Sequence, residues 1–162
     1  LILAHARSIR EARSRLRYGL QLFSHACIDI IRGKHGWKLI SATPITSHRD
    51  LWKEERKRRI VAGHMQLARR LIQGEEPHPT LFDDLLRGYD FIYSLQDERT
   101  LSDAELLLSV RLLSLLGYWG DDEALAPVLL RSNYESADLA LLRPMRGTIV
   151  SRVNAALHSS QL

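Results

Sequence analysis

Ile28-Asp29-Ile30-Ile31-Arg32-Gly33-Lys34-His35-Gly36-Trp37-Lys38-Leu39-Ile40 is the stretch that decides the fold. Residues 32–36 hold two glycines around Lys34-His35, which marks a turn. The residues on either side are rich in β-branched and aromatic types, which favour strands. Tyr18 to Ile31 reads as one strand, bent near Gly19, and Trp37 to Ala42 as the strand that returns, with Pro44 closing the region. Leu1-Ile2-Leu3-Ala4 reads as the end of another strand. Residues 5–17 carry five arginines without strand alternation, and suit a short helix or an ordered loop. Residues 1–46 are therefore a β region.

The period changes after Ser47. A helix capped by Ser47 is predicted to run to about Ile72, on a stripe of Leu51, Ile60 or Val61, His64 or Met65, Ala68 and Leu71 or Ile72. Gly74 and Pro77 end it. A second helix is predicted from Pro79 to Leu95, with Phe82, Leu85, Leu86, Tyr89, Ile92 and Tyr93 on one side. Ser102-Asp103-Ala104-Glu105 has the form of a capping box and predicts the start of a third helix that ends at Gly117. Leu106 to Leu116 is apolar all round except at Ser109, Arg111 and Ser114, so that helix is expected at the centre. Asp121-Asp122-Glu123 suits a further helix start, kept short or shifted by Pro127, and a last helix is predicted from Met145 to His158. The fold class is thus α+β, with an all-α domain over 47–162.

Charge divides the chain at nearly the same place. Residues 1–70 hold 16 Lys and Arg against 5 Asp and Glu, and residues 71–162 hold 7 against 14. A basic first part attracts phosphate backbones. Arg7, Arg10, Arg13, Arg15 and Arg17 fall within eleven positions, opposed only by Glu11, and Arg32, Lys34 and Lys38 follow on the turn and strand. Guanidinium forks match phosphate oxygens and stack on bases. Tyr18, Phe23 and Trp37 offer stacking faces, although Phe23 better suits the core. Residues 49–59 hold six basic and three acidic residues, and the Glu54–Arg58 and Glu55–Arg59 spacings suggest a self-paired solvated face.

Catalytic signatures do not emerge. The seven histidines show no metal-binding spacing, and there is no Walker loop, nucleophile elbow or dinucleotide-binding glycine motif. Asp121, Asp122 and Glu123 read as a helix cap, and Cys27, in an apolar strand, as a buried and inert thiol. One cysteine excludes an internal disulfide and a multi-cysteine zinc site. No apolar run is long enough to span a membrane, and a cytoplasmic setting is expected.

Several segments, in order, resemble the RecO family of bacterial recombination mediators. They are Ala6-Arg7-Ser8-Ile9-Arg10, Ser14-Arg15-Leu16-Arg17, Leu20-Gln21-Leu22-Phe23, Ile31-Arg32-Gly33-Lys34 and Trp37-Lys38-Leu39-Ile40. Pro79-Thr80-Leu81-Phe82-Asp83-Asp84-Leu85-Leu86, Leu112-Leu113-Ser114-Leu115-Leu116-Gly117-Tyr118 and the closing 154–162 continue the likeness. The resemblance implies an N-terminal OB-fold β-barrel followed by a helical domain; with no nucleophile or base to nominate, no enzyme is expected. It implies binding to single- and double-stranded DNA, annealing of complementary strands and loading of a recombinase, alongside RecR and the acidic, apolar tail of the single-strand-binding protein. It carries DNA contact onto Arg7, Arg10, Arg13, Arg15, Arg17, Arg32, Lys34 and Lys38. Two departures stand out. Many members carry a four-cysteine zinc site after the Leu-Gly-Tyr segment, and Trp119 to Leu130 holds no cysteine, so neither zinc nor another cofactor is expected. The barrel of the family also begins about one hairpin earlier than Leu1, so the β region is expected to be a partial barrel. A protein-interaction adaptor docking an acidic tail and an RNA-binding module are the other readings of the same residues.

Overall fold

The computed structural model describes residues 2–6, 9, 14–47 and 53–159. The chain divides into two compact units, Leu1–Glu55 and Arg56–Leu162.

The first unit is a three-stranded sheet of order β1-β3-β2, formed by β1 (Ala4–His5), β2 (Ser24–Gly33) and β3 (Gly36–Ser47). β2 and β3 are antiparallel, and β1 runs parallel to β3, with Ala4 opposite Trp37 and His5 opposite Lys38. Pro44 does not close the region but lies inside β3, opposite Ala26. The register slips between His25 and Ala26, so Ile45 is the extra residue beside Pro44, and again between Asp29 and Ile30, where Ile40 is extra. Both bulges are on β3, where a proline is tolerated and where they increase bend and twist.

A short helix, α1 (Arg15–Gly19), replaces the predicted first part of the strand. It comes down on Ala42 so closely that a Cβ on Gly19 would lie 2.1 Å from the Ala42 carbonyl oxygen. Only glycine admits that approach. The turn into β2 puts Phe23 at φ 61°, a left-handed conformation that costs a bulky residue about 1–2 kcal/mol. Its ring is buried, and among the described residues of this unit Leu39 is the other buried large apolar side chain.

The second unit is helical: α2 (Glu55–Leu71), α3 (Pro79–Ser94), α4 (Glu98–Leu115), α5 (Ala126–Leu129), α6 (Ser136–Leu142), a 3₁₀ turn (Arg143–Met145) and α7 (Arg146–Ser159). α4 is the axis, with Leu101, Ala104, Leu106, Leu107, Leu108, Val110, Leu112 and Leu113 all buried. It starts four residues before the predicted box. The Asp97 carboxylate accepts from the Thr100 backbone N–H and hydroxyl, both at 2.8 Å, so Asp97 is the cap, and those bonds hold its carboxyl below the ordinary range. Ser102 and Asp103 are inside the helix. The buried side of α3 is Leu81, Asp84, Gly88, Tyr89 and Ile92, rotated from the predicted stripe, and Phe82 is exposed.

Two buried polar clusters fix the packing. Arg111, on α4, forms an ion pair with Asp84 of α3 and donates to the carbonyls of Arg131, at 2.6 Å, and Asn133, at 3.0 Å. Tyr134 completes the cluster: its hydroxyl donates to Asp84 at 2.7 Å and its ring lies 4.2 Å from the guanidinium carbon. Gly88 leaves room for that ring, since a Cβ there would stand 3.0 Å from it. The second cluster is His64, Tyr89 and the Leu108 carbonyl. A carbonyl only accepts, so His64 Nε2–H donates to Leu108 at 3.1 Å and Nδ1 accepts from the Tyr89 hydroxyl at 3.2 Å. Lys57, also buried, donates to the Tyr93 carbonyl at 2.8 Å, near the C-terminal end of α3.

Arg111→Met leaves Asp84 a buried charge without its partner, and is expected to lower unfolding free energy by about 3–5 kcal/mol in urea denaturation. A change below about 1 kcal/mol would mean that the pair is dispensable. Burial outweighs the raising effect of the Leu108 bond and pulls the His64 pKa from 6.5 to about 4. The folded chain refuses a proton that the unfolded chain takes below pH 6.5. Stability from this site is therefore full above pH 6.5 and is lost by about 3 kcal/mol as pH falls to 4. In His64→Gln the slope of stability against pH in that window should flatten.

Candidate nucleic-acid interface

The hairpin sorts its side chains by register. Residues directly opposite in an antiparallel pair share a face, and neighbours along a strand alternate. Arg32 lies opposite Trp37, Ile30 opposite Leu39 and Ile28 opposite Ala42, so these six residues share one face. Ile31 lies opposite Lys38, Asp29 opposite Ser41 and Cys27 opposite Thr43 on the other. The first face is apolar and aromatic with one arginine, and the second is largely polar.

The face is incompletely covered. Leu39 is buried and Trp37 half-buried, but Ile28 is 46% exposed. The Arg32 guanidinium carbon lies 5.7 Å from the centre of the Trp37 ring, a cation–π arrangement that places a charge beside a flat aromatic surface. Lys34 occupies the turn between the strands. At the opposite end, roughly 15 Å along β3, α1 meets Ala42 through Gly19 and carries Arg17 and Tyr18, both exposed. Tyr18 is 70% exposed, and with Gln21, Ser24, Pro44 and Ser47 it lines a recess of about 180 Å³.

The eight basic residues singled out from the sequence therefore fall into four groups. Arg32 lies beside Trp37 at the hairpin tip, and Lys34 follows two residues on, in the turn. Arg17 is exposed on α1, with Arg15 opening the same helix. Lys38 is exposed on the opposite face from Arg32. Arg7, Arg10 and Arg13 lie outside the described residues. Among the described residues, no carboxylate forms an ion pair with Arg17, Arg32, Lys34 or Lys38. Cys27, expected to be buried, is exposed on the polar face, because that side of the hairpin has no second layer among the described residues.

The arginines of the helical unit are placed differently. Arg56 is engaged by Glu105 at 3.0 Å and by Glu98 at 3.8 Å. Asp103 holds both Arg143 and Arg146, each at 2.8 Å. With Asp97, Glu98, Arg99 and Ser102 these three line a polar cleft of about 760 Å³. In the sequence the signal of this cleft is Arg143-Pro144-Met145-Arg146, two arginines one turn apart. Asp122, expected to start a helix, instead pairs with Arg152, whose guanidinium lies 4.3 Å from the Trp119 ring. That contact and a 3.3 Å bond from the Leu125 N–H to Asp122 fasten the cysteine-free segment that follows Leu116-Gly117-Tyr118.

Among the described residues, no group of three His, Cys, Asp or Glu could hold a metal ion, and no helix is long and apolar enough to cross a membrane. No family model, curated protein or solved structure matches the chain.

Gly19→Ala would place a methyl group against the Ala42 carbonyl and push α1 off the sheet. We expect it to destabilise the first unit by about 1–3 kcal/mol and to broaden the Arg17 and Tyr18 amide resonances. Unchanged amide positions in both residues would show that the close approach is not required.

Proposed function

We propose that the chain is a non-enzymatic DNA-binding recombination mediator of the RecO type, acting in the bacterial cytoplasm at the nucleoid. The observation that carries this reading is the hairpin tip, where Arg32 stands over Trp37 with Lys34 alongside and no carboxylate neutralises them among the described residues. A cation that meets a phosphate and a ring that meets a base are the two parts of a single-strand platform. Release of condensed counterions from the strand supplies much of the affinity. Two strands held on one such surface repel each other less, which favours annealing.

The first unit is read as part of an OB-fold barrel. Two bulges on β3 and the parallel pairing of β1 suit a sheet that coils toward closure. RecR and the tail of the single-strand-binding protein are the proposed protein partners. A separate reading takes the chain as an adaptor for an acidic tail, with Arg99, Arg143 and Arg146 of the polar cleft, beside Asp97, Glu98 and Asp103, as its candidate contacts.

Arg32→Glu with Lys34→Glu tests the DNA reading by fluorescence anisotropy on a single-stranded oligonucleotide over a salt series. Removing two phosphate contacts should weaken binding by about tenfold or more and reduce the slope of log affinity against log salt by about 1.4. Affinity should change little with base sequence. Equal affinity of the double variant and the parent chain at every salt concentration would refute it. Binding of an acidic peptide without any DNA binding would select the adaptor.

A further inference from the structure

Among the described residues, the outer edge of β2 is open. The sheet order β1-β3-β2 leaves β2 last, and among the described residues no strand pairs with its outward side. Such an edge carries a row of backbone donors and acceptors that template another strand, and folded proteins blunt it with lysine, proline or a bulge. β2 uses none of these. Ser24 to Gly33 holds no lysine and no proline, and both bulges of the hairpin are on β3. Ten regular residues are thus presented, with Cys27, Ile28, Asp29 and Ile31 exposed.

We propose that this edge pairs antiparallel with β2 of a second copy of the chain, about a twofold axis through Cys27. The charge pattern selects that register. It sets Asp29 of each copy opposite His25 of the other, so that a carboxylate faces an imidazole at two symmetric places on the polar face. An axis through Asp29 would oppose two carboxylates. One through Ile28 would put Asp29 opposite a cysteine. With the axis at Cys27, Ala26 of each copy faces Ile28 of the other on the apolar side, and the two apolar faces become one. The result is a continuous six-stranded sheet with isologous contacts. This goes beyond the DNA reading and does not depend on it.

The single cysteine supplies the test. In the register proposed, the two Cys27 residues are directly opposed. A mild oxidant that accepts two electrons from the paired thiols should convert the full chain to a covalent dimer, at concentrations where sedimentation shows a reversible one. Asp29→Lys should raise the dimer dissociation constant by about tenfold, and His25→Glu in the same chain should restore it. A chain that sediments as a monomer up to several hundred micromolar overturns the proposal. So does a dimer that neither cross-links through Cys27 nor responds to Asp29→Lys, since its interface lies elsewhere. Loss of DNA binding by Arg32→Glu with Lys34→Glu leaves these readouts unchanged, so the two readings fail separately.

Discussion

The pairing of Arg32 with Trp37 across the hairpin is the constraint on which the functional reading rests. It follows from a two-residue turn, Lys34-His35, and from a register in which Gly33 faces Gly36. A slip by one residue would exchange the faces, sending Trp37 and Leu39 to the polar side and Lys38 to the apolar one. The apolar complement on one face resists such a slip, because Leu39 with Phe23 forms the only buried apolar pair in the described part of this unit. Position and charge at the tip are thus secured by hydrophobic burial a few residues away. The same register parts Arg32 from Lys38, placing the two cations on opposite faces.

The helical unit follows another principle. Its core is a leucine-rich axis, and polar groups inside it are satisfied by partners that also set direction. Arg111 ties α3 to α4 through Asp84, and fastens the backbone at Arg131 and Asn133. Tyr134 is stacked on Phe91 with ring centres 5.8 Å apart, and burial together with the nearby Asp84 carboxylate raises its phenol well above the ordinary value. Asp122, Arg152 and Trp119 fasten the next segment in the same manner. Ion pairs and aromatic faces thus do for the loops what leucines do for the helices.

The sequence made the hairpin turn, the central helix and the last helix legible, because glycines bracket the first and apolar residues fill the second. It was less informative where polar residues have two uses. Ser102-Asp103-Ala104-Glu105 has the spacing of a cap, yet Asp97 and Thr100 cap α4 one turn earlier and Asp103 instead binds two arginines. Arg111 appeared as an interruption in an apolar run and is instead almost fully buried. Tyr18 to Phe23 has strand-like composition, but Gly19 allows α1 to meet Ala42, a contact that no local pattern announces. α6 is short, and its cap is a reciprocal box between Glu135 and Asp138. Of the basic residues, the clustering is visible in one dimension, and the division of Arg32 from Lys38 between faces follows from the register that the turn sets.

The most direct measurement of the central claim is an amide and indole chemical-shift map of the labelled chain titrated with a short single-stranded oligonucleotide. The largest shifts are expected on Arg32, Lys34 and Trp37, including the Trp37 indole, while Thr43 and Thr46 on the polar face stay in place. Shifts concentrated on the polar face, or none at the hairpin tip under saturating oligonucleotide, would contradict it.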